Sequence, residues 1–193
     1  EELVNQLNNG KELDGILGLT YRNGTGVMVN PTRPLVTDLE QLPLPSRHLM
    51  QHHLYRSPEN NEPITVIHTQ RGCPAKCIFC SVGVVSGYKI RKRSPENILN
   101  EIKECVEKYK FRNFLFHADT FTWEREWVVE LCNRIIDSGL KVHWGCNSRV
   151  DTIDPEMLKL MKKAGCWVIA FGIETGDQSI LNKMKKGAKV DWA

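Results

Sequence analysis

Beyond residue 62 the chain alternates between two hydrophobic rhythms. Ile64 to Thr69, Asn113 to Ala118, Lys141 to Asn147 and Trp167 to Ile173 are short runs rich in apolar and β-branched residues, the texture of buried strands. Between them the apolar positions recur every three or four residues. Ser94-Pro95-Glu96 predicts a capped helix start with proline in the first turn, and Ile98, Leu99, Ile102, Cys105, Val106 and Tyr109 then share one face. Thr122 is the predicted cap of a second helix that buries Trp127, Val128, Leu131, Cys132, Ile135 and Ile136 before Gly139 stops it. Asp154-Pro155-Glu156 starts a third that runs to Ala164-Gly165, and Asp177 to Lys186 forms a fourth that ends at Gly187. Four βα units in succession predict an α/β fold, part of a parallel (β/α) barrel.

Residues 1–62 have a different texture. Glu1 to Asn8 is helical in pattern and stops at Gly10, and the strand-like runs Gly15 to Arg22 and Gly26 to Asn30 flank Asn23-Gly24, a hairpin signal. Pro31, Pro34, Pro43 and Pro45 then rule out regular structure. The predicted organisation is therefore a connector over 1–62 and a barrel portion over 63–193. A start at Glu1 and a stop just after a helix suggest a piece of a longer protein.

Composition narrows the class only modestly. With 193 residues, 41% hydrophobic and 25% charged, the chain has the make-up of an ordinary globular domain. It contains no 18-residue apolar run, so no membrane span is expected. A net charge of +3 is too small to argue for nucleic acid. Lys89 to Arg93 and Lys183 to Lys189 hold most of the local excess, where solvated faces suffice as an explanation.

The chemistry lies in Cys73, Cys77 and Cys80. A Cys-x3-Cys-x2-Cys spacing offers three thiolates to a [4Fe-4S] cluster of four irons, which leaves one iron open to another ligand. A structural zinc site wants four ligands, usually as two separated pairs; no second Cys-x2-Cys exists, and His68 is the remaining candidate. A non-catalytic cluster- or zinc-binding protein stays open on this evidence. Seven cysteines, an odd count without a signal-peptide pattern, fit a reducing cytoplasm better than a disulfide framework. Cys105, Cys132, Cys146 and Cys166 read as small buried hydrophobes.

Strand alternation suggests what surrounds the cysteines. In the fourth strand Trp167, Ile169, Phe171 and Ile173 should face the helices, which turns Val168, Ala170, Gly172 and Glu174 inward. In the third, Val142, Trp144 and Cys146 face outward, and His143, Gly145, Asn147 and Arg149 inward. In the second, His117 and Asp119 point inward. Asp119, Asn147, Arg149 and Glu174 thus fall at the C-terminal mouth, where βα barrels collect their active sites. Each has a plainer reading: Asp119, like Asp154, as a cap or loop residue, Arg149 as a bridge to Asp151 or Glu174, and His117 as a hydrogen-bonded core histidine.

Arg71-Gly-Cys-Pro-Ala-Lys-Cys-Ile-Phe-Cys80, Phe116-His-Ala-Asp-Thr-Phe121, Asn147-Ser-Arg-Val-Asp151 and Phe171-Gly-Ile-Glu-Thr-Gly176 together resemble the cobalamin-associated radical SAM enzymes, a group of methyltransferases and the anaerobic magnesium-protoporphyrin ester cyclase. The resemblance covers 63–190 and implies a six-unit barrel, of which about four units are present. It implies that Cys73, Cys77 and Cys80 bind the cluster and that its open iron is chelated by S-adenosylmethionine (SAM). One electron then cleaves SAM to a 5′-deoxyadenosyl radical. It further implies that Phe79 lies near the adenine, that Asp119 meets the methionine amine, that Arg149 suits its carboxylate, and that Asn147 or Glu174 suits the ribose hydroxyls. Asp119 departs from the family pattern because two glycines do not precede it.

Cobalamin would come through an upstream domain, to which residues 1–62 resemble the connector. No Asp-x-His-x-x-Gly motif occurs to hold it here by a lower-ligand histidine. The implied reaction is cobalamin-linked methyl transfer or ring rearrangement on a small-molecule substrate, with a reductant such as flavodoxin or ferredoxin. A methylthiotransferase acting on tRNA or protein is the alternative within the superfamily.

Overall fold

The computed structural model describes residues 2–10 and 12–192, which divide into two compact units, the first ending at Val36 and the second beginning at Thr37. In the first, helix α1 (Glu2–Asn8) precedes the antiparallel strands β1 (Thr20–Asn23) and β2 (Gly26–Val29). The expected helix start at Glu1 lies outside the described residues. The first strand is shorter than its apolar pattern suggested, because turns occupy 14–18. Asn23 pairs with Gly26, so the two-residue turn is Gly24-Thr25 rather than Asn23-Gly24, with Gly24 at φ +58°.

The second unit carries a four-stranded parallel sheet. Its elements run β3 (Ile64–His68), β4 (Gln70–Arg71), α2 (Val82–Val85), β5 (Arg91–Lys92), α3 (Pro95–Tyr109), β6 (Asn113–His117), α4 (Arg125–Asp137), β7 (His143–Ser148), α5 (Pro155–Lys163), β8 (Cys166–Phe171) and α6 (Gln178–Lys183). Strand order in the main sheet is β3-β6-β7-β8, with every pairing parallel. That order never reverses, as in the wall of a βα barrel and unlike a doubly wound sheet, where a reversal makes the crevice.

One face of the sheet holds the core. Ile67, Phe114, Phe116, Trp144 and Cys146 pack against α3, α4 and α5 through Ile98, Ile102, Leu131, Cys132, Ile135, Met157 and Met161. The other face is open: Val66, His68, Leu115, His117, Asn147, Val168 and Ala170 are all exposed. The predicted caps at Ser94, Asp154 and Asp177 accept backbone N–H bonds at their helix starts.

Two sequence expectations fail for local reasons. Thr122 does not cap a helix, since α4 starts after Glu124; its hydroxyl instead bonds Ser148 and Thr152 across the top of β7. Trp167 does not face the helices, being 45% exposed. A register shift pairs Trp144 with Cys166 and Gly145 with Val168, leaving Trp167 as the extra residue of a β-bulge. Cys166 therefore takes the core position that alternation gave to Trp167, and Ile169 packs on the core as expected.

The irregular stretch 37–62 belongs to this second unit. It forms single 3-10 turns at Leu39–Gln41, Arg47–Leu49 and His52–Leu54, which the prolines between them keep from growing. Leu39 is buried, and the His52 ring packs edge-on against Tyr109 and Phe111. Arg47 reaches the C-terminal half of β3, bonding the Val66 carbonyl at 2.9 Å and Glu101 of α3 at 2.5 Å. Among the described residues no helix is long and apolar enough to cross a membrane.

Candidate active site at the cysteine loop

The loop that carries the cysteines leaves the sheet at the C-terminal end of β3. Its two ends are tied together by antiparallel pairing of β4 with β5, Gln70 to Lys92 and Arg71 to Arg91. Gln70 is buried and donates to the carbonyls of Thr120 and Phe121 at 3.0 and 2.9 Å, which pins the loop to the segment after β6. Gly72 makes the tight step into the first cysteine. It has φ +97°, and a Cβ there would lie 2.1 Å from the Lys89 carbonyl oxygen.

Replacing Gly72 by alanine is therefore expected to strain the backbone by about 1–3 kcal/mol and push the loop off the Lys89 backbone. Thermal unfolding should show a lower midpoint, and iron uptake should fall with it. Unchanged values for both would contradict this role for Gly72.

The three cysteines differ in access. Cys73 is buried, Cys77 half-buried and Cys80 exposed. The Cys73 Sγ lies 3.3 Å from the Thr120 hydroxyl, and the Cys80 N–H turns back to the Cys77 carbonyl at 3.2 Å. Among the described residues, no three His, Cys, Asp or Glu side chains converge on one metal-ion position. Thiolates of a cluster bind separate irons and need no such convergence.

The remaining cysteines sit elsewhere. Burial pushes the Cys105 thiol up to about 11 and the Cys132 thiol up to about 12. Cys146 is also pushed up, first by its hydrogen bond to Cys166 and then by burial. These thiols stay protonated and enclosed. Brief alkylation of the folded, metal-free chain, mapped by mass spectrometry, should modify Cys80 and Cys77 and spare Cys105, Cys132 and Cys146. Early labelling of the last three would contradict the assigned burial.

Of the rim residues expected from sequence, Asp119, Arg149 and Glu174 lie after their strands and Asn147 in the C-terminal end of β7, and three of the four are engaged within the chain. Asp119 accepts the Gly72 N–H at 2.5 Å and so ties the segment after β6 to the cysteine loop. Arg149 is bidentate to Asp151 at 2.8 and 2.5 Å, the bridge that its sequence position allowed. It also donates to the Lys186 carbonyl at 2.5 Å and to Cys77 Sγ at 3.6 Å. Glu174, at φ +68° just past β8, accepts from Lys186 at 2.9 Å. Asn147 is exposed at the end of β7.

Phe79 is 48% exposed, with the Lys186 ammonium 5.8 Å from its ring centre. Ile78 donates its N–H to the Met184 carbonyl at 3.1 Å, so the segment after α6 lies along the cysteine loop.

Sequence reasoning missed Gly72, Thr120 and Lys186. Gly72 was legible in principle, as a glycine directly before the first cysteine, whereas Thr120 and Lys186 have roles created only by folding. His117 is not a core histidine: it is exposed on the open face, its ring 4.8 Å from that of His68 on the paired strand. Partial desolvation against the sheet first, then the neighbouring His117 and Arg71, pull the His68 imidazole below its usual range.

The charge around the loop is one-sided. Residues 63–95 contain six Lys or Arg and no Asp or Glu. Three thiolates on a 2+ cluster leave it net anionic, so this donor set and its surroundings fit such a group.

A parallel sheet in sequential order, with a three-cysteine loop at its C-terminal end and acidic, amide and guanidinium groups along the same rim, is a βα arrangement suited to an iron–sulfur cofactor. Residues 67–193 match the Radical SAM superfamily, and the chain belongs to it. It is similar to an uncharacterized methyltransferase of Pyrococcus horikoshii, 36% identical over 187 residues, which cover 97% of this chain and 40% of that protein. It is also similar to the anaerobic magnesium-protoporphyrin IX monomethyl ester cyclase of Rubrivivax gelatinosus, 29% identical over 178 residues, 90% of this chain and 32% of that one.

Among solved structures, the radical S-adenosylmethionine methyltransferase TsrM from Kitasatospora setae, with cobalamin and [4Fe-4S] cluster bound, shares the fold. The TM-score is 0.71 at 17% identity, over 97% of this chain and 39% of that one. The chain spans 40% or less of the length of these proteins.

Proposed function

We propose that this chain is the cluster- and SAM-binding part of a radical SAM enzyme that transfers a methyl group to a small-molecule substrate, in a partial barrel of the type this superfamily uses. The observation that carries the reading is the convergence, at one end of one sheet, of the Cys73, Cys77 and Cys80 loop with Asp119, Asn147, Arg149 and Glu174. The kinship with methyltransferases supports methyl transfer over ring rearrangement.

Cys73, Cys77 and Cys80 would hold a [4Fe-4S] cluster. When bound, that cluster supplies the single electron that cleaves the SAM sulfonium. Cobalamin is proposed to be held by parts of the whole protein outside this chain, and a flavodoxin- or ferredoxin-like reductant to feed the cluster.

The chain's own residues orient SAM. Phe79 offers an exposed aromatic edge to the adenine, and Asn147 an unobstructed amide to the ribose. Asp119 keeps a carboxylate oxygen for the methionine amine while the other accepts the Gly72 N–H. Arg149 Nη1 carries two N–H groups, of which Cys77 takes one, and the second suits a carboxylate. Glu174, which accepts from Lys186, keeps a carboxylate oxygen that suits a ribose hydroxyl. The open sheet face, apolar at Val66, Leu115 and Val168 and polar at His68 and His117, offers the substrate a floor.

The test uses the whole protein, anaerobically loaded with iron and sulfide and supplied with dithionite, cobalamin and SAM. Formation of 5′-deoxyadenosine or of S-adenosylhomocysteine, read by mass spectrometry, is expected. A cluster-loaded protein that yields neither product overturns the reading.

A further inference from the structure

Arg149 stands where it can act on electron transfer itself. Its side chain is 8% exposed, and Asp151 and the Lys186 carbonyl take Nε and Nη2, which fixes the plane of the guanidinium. The held plane directs Nη1 at Cys77 Sγ, 3.6 Å away and 72 residues earlier in the chain. Three elements converge on this arrangement: the end of β7, the segment after α6 and the cysteine loop. Loop flexibility alone would not hold it.

We propose that Arg149 is a positioning residue that sets the reduction potential of the cluster through its N–H to Cys77 Sγ. The inference rests on the reading of Cys77 as an iron-bound thiolate. Reduction adds one electron to a cluster whose charge spreads onto its sulfurs. A fixed N–H donor and positive charge at one of them stabilise the reduced form more than the oxidised form. A guanidinium stays charged across the working pH range, so the bias is constant. Asp151 aims the fork and offsets part of its charge, which moderates the effect.

The test is a redox titration of this chain, loaded with iron and sulfide and free of SAM, so that contact with the ligand contributes nothing. The reduced cluster is followed by electron paramagnetic resonance. In Arg149→Met the ratio of reduced to oxidised cluster at the wild-type midpoint should fall about tenfold, a shift of about 59 mV for a one-electron couple. Arg149→Lys should lie between. A variant with wild-type iron content and an unchanged midpoint overturns the inference alone.

A second measurement needs no variant. With 15N-labelled arginine, the reduced wild-type cluster should show a 15N coupling, and its absence also overturns the inference. A wild-type chain that takes up iron in some other form than [4Fe-4S] overturns the underlying reading and the inference together.

Discussion

Replacing Glu101 by alanine is expected to cost this chain about 3–5 kcal/mol of folding stability, because it leaves two buried arginines without a counter-charge. Glu101 is 1% exposed on α3 and accepts from Arg47 and from Arg93, each at 2.5 Å. The loss is a fifth or more of what a domain of this kind commonly has, about 5–15 kcal/mol in total. Arg47 and Arg93 also hold the carbonyls of Val66 and His68 at 2.9 and 3.0 Å. The triad therefore secures the end of β3 from which the cysteine loop departs, and cluster loading should drop along with stability. Urea unfolding followed by circular dichroism checks the first effect. Replacing all three members by apolar residues of similar volume should recover most of the loss. A cost below about 1 kcal/mol for Glu101→Ala would show that water reaches the triad after all.

Substituting serine for any one of Cys73, Cys77 or Cys80 is expected to abolish stable cluster binding, with the near-ultraviolet and visible absorbance of the reconstituted chain falling more than tenfold. With one thiolate gone, a second iron would lose its protein ligand, and the remaining two contacts give the cluster no fixed seat. Cys105→Ala should leave the absorbance unchanged, since that thiol is enclosed in the α3 face and its pKa is pushed up to about 11. Iron and sulfide assays check both statements. Loss of the cluster on Cys105→Ala alone, with wild-type loading in Cys80→Ser, would reassign the ligands.

The sheet, the helices and the cysteine loop were legible because their determinants are local. Ser94, Asp154 and Asp177 cap helices from the residue before the first turn, and the apolar faces of α3 and α4 follow a fixed period. Trp167 and Thr122 were misplaced for the opposite reason. A β-bulge is a property of a strand pair, invisible in either strand alone, and the Thr122 hydroxyl found partners 26 and 30 residues away instead of its own helix.

The rim was legible as a set of residue types at strand ends. Its wiring was not, because Arg149 to Cys77, Glu174 to Lys186 and Asp119 to Gly72 are bonds between segments that only the fold brings together. His117 illustrates the limit of alternation: the pattern gave its face correctly, while only the structure shows that face to be exposed.

The central claim is that three thiolates leave one iron of a [4Fe-4S] cluster open for SAM beside the rim of this sheet. Reconstituting this chain anaerobically with 57Fe and recording Mössbauer spectra before and after adding SAM tests it directly. The account predicts four irons per chain, one of which changes its isomer shift when SAM is added, while Cys77→Ser shows neither the cluster nor the change. A fully loaded cluster whose four irons are all indifferent to SAM would contradict it.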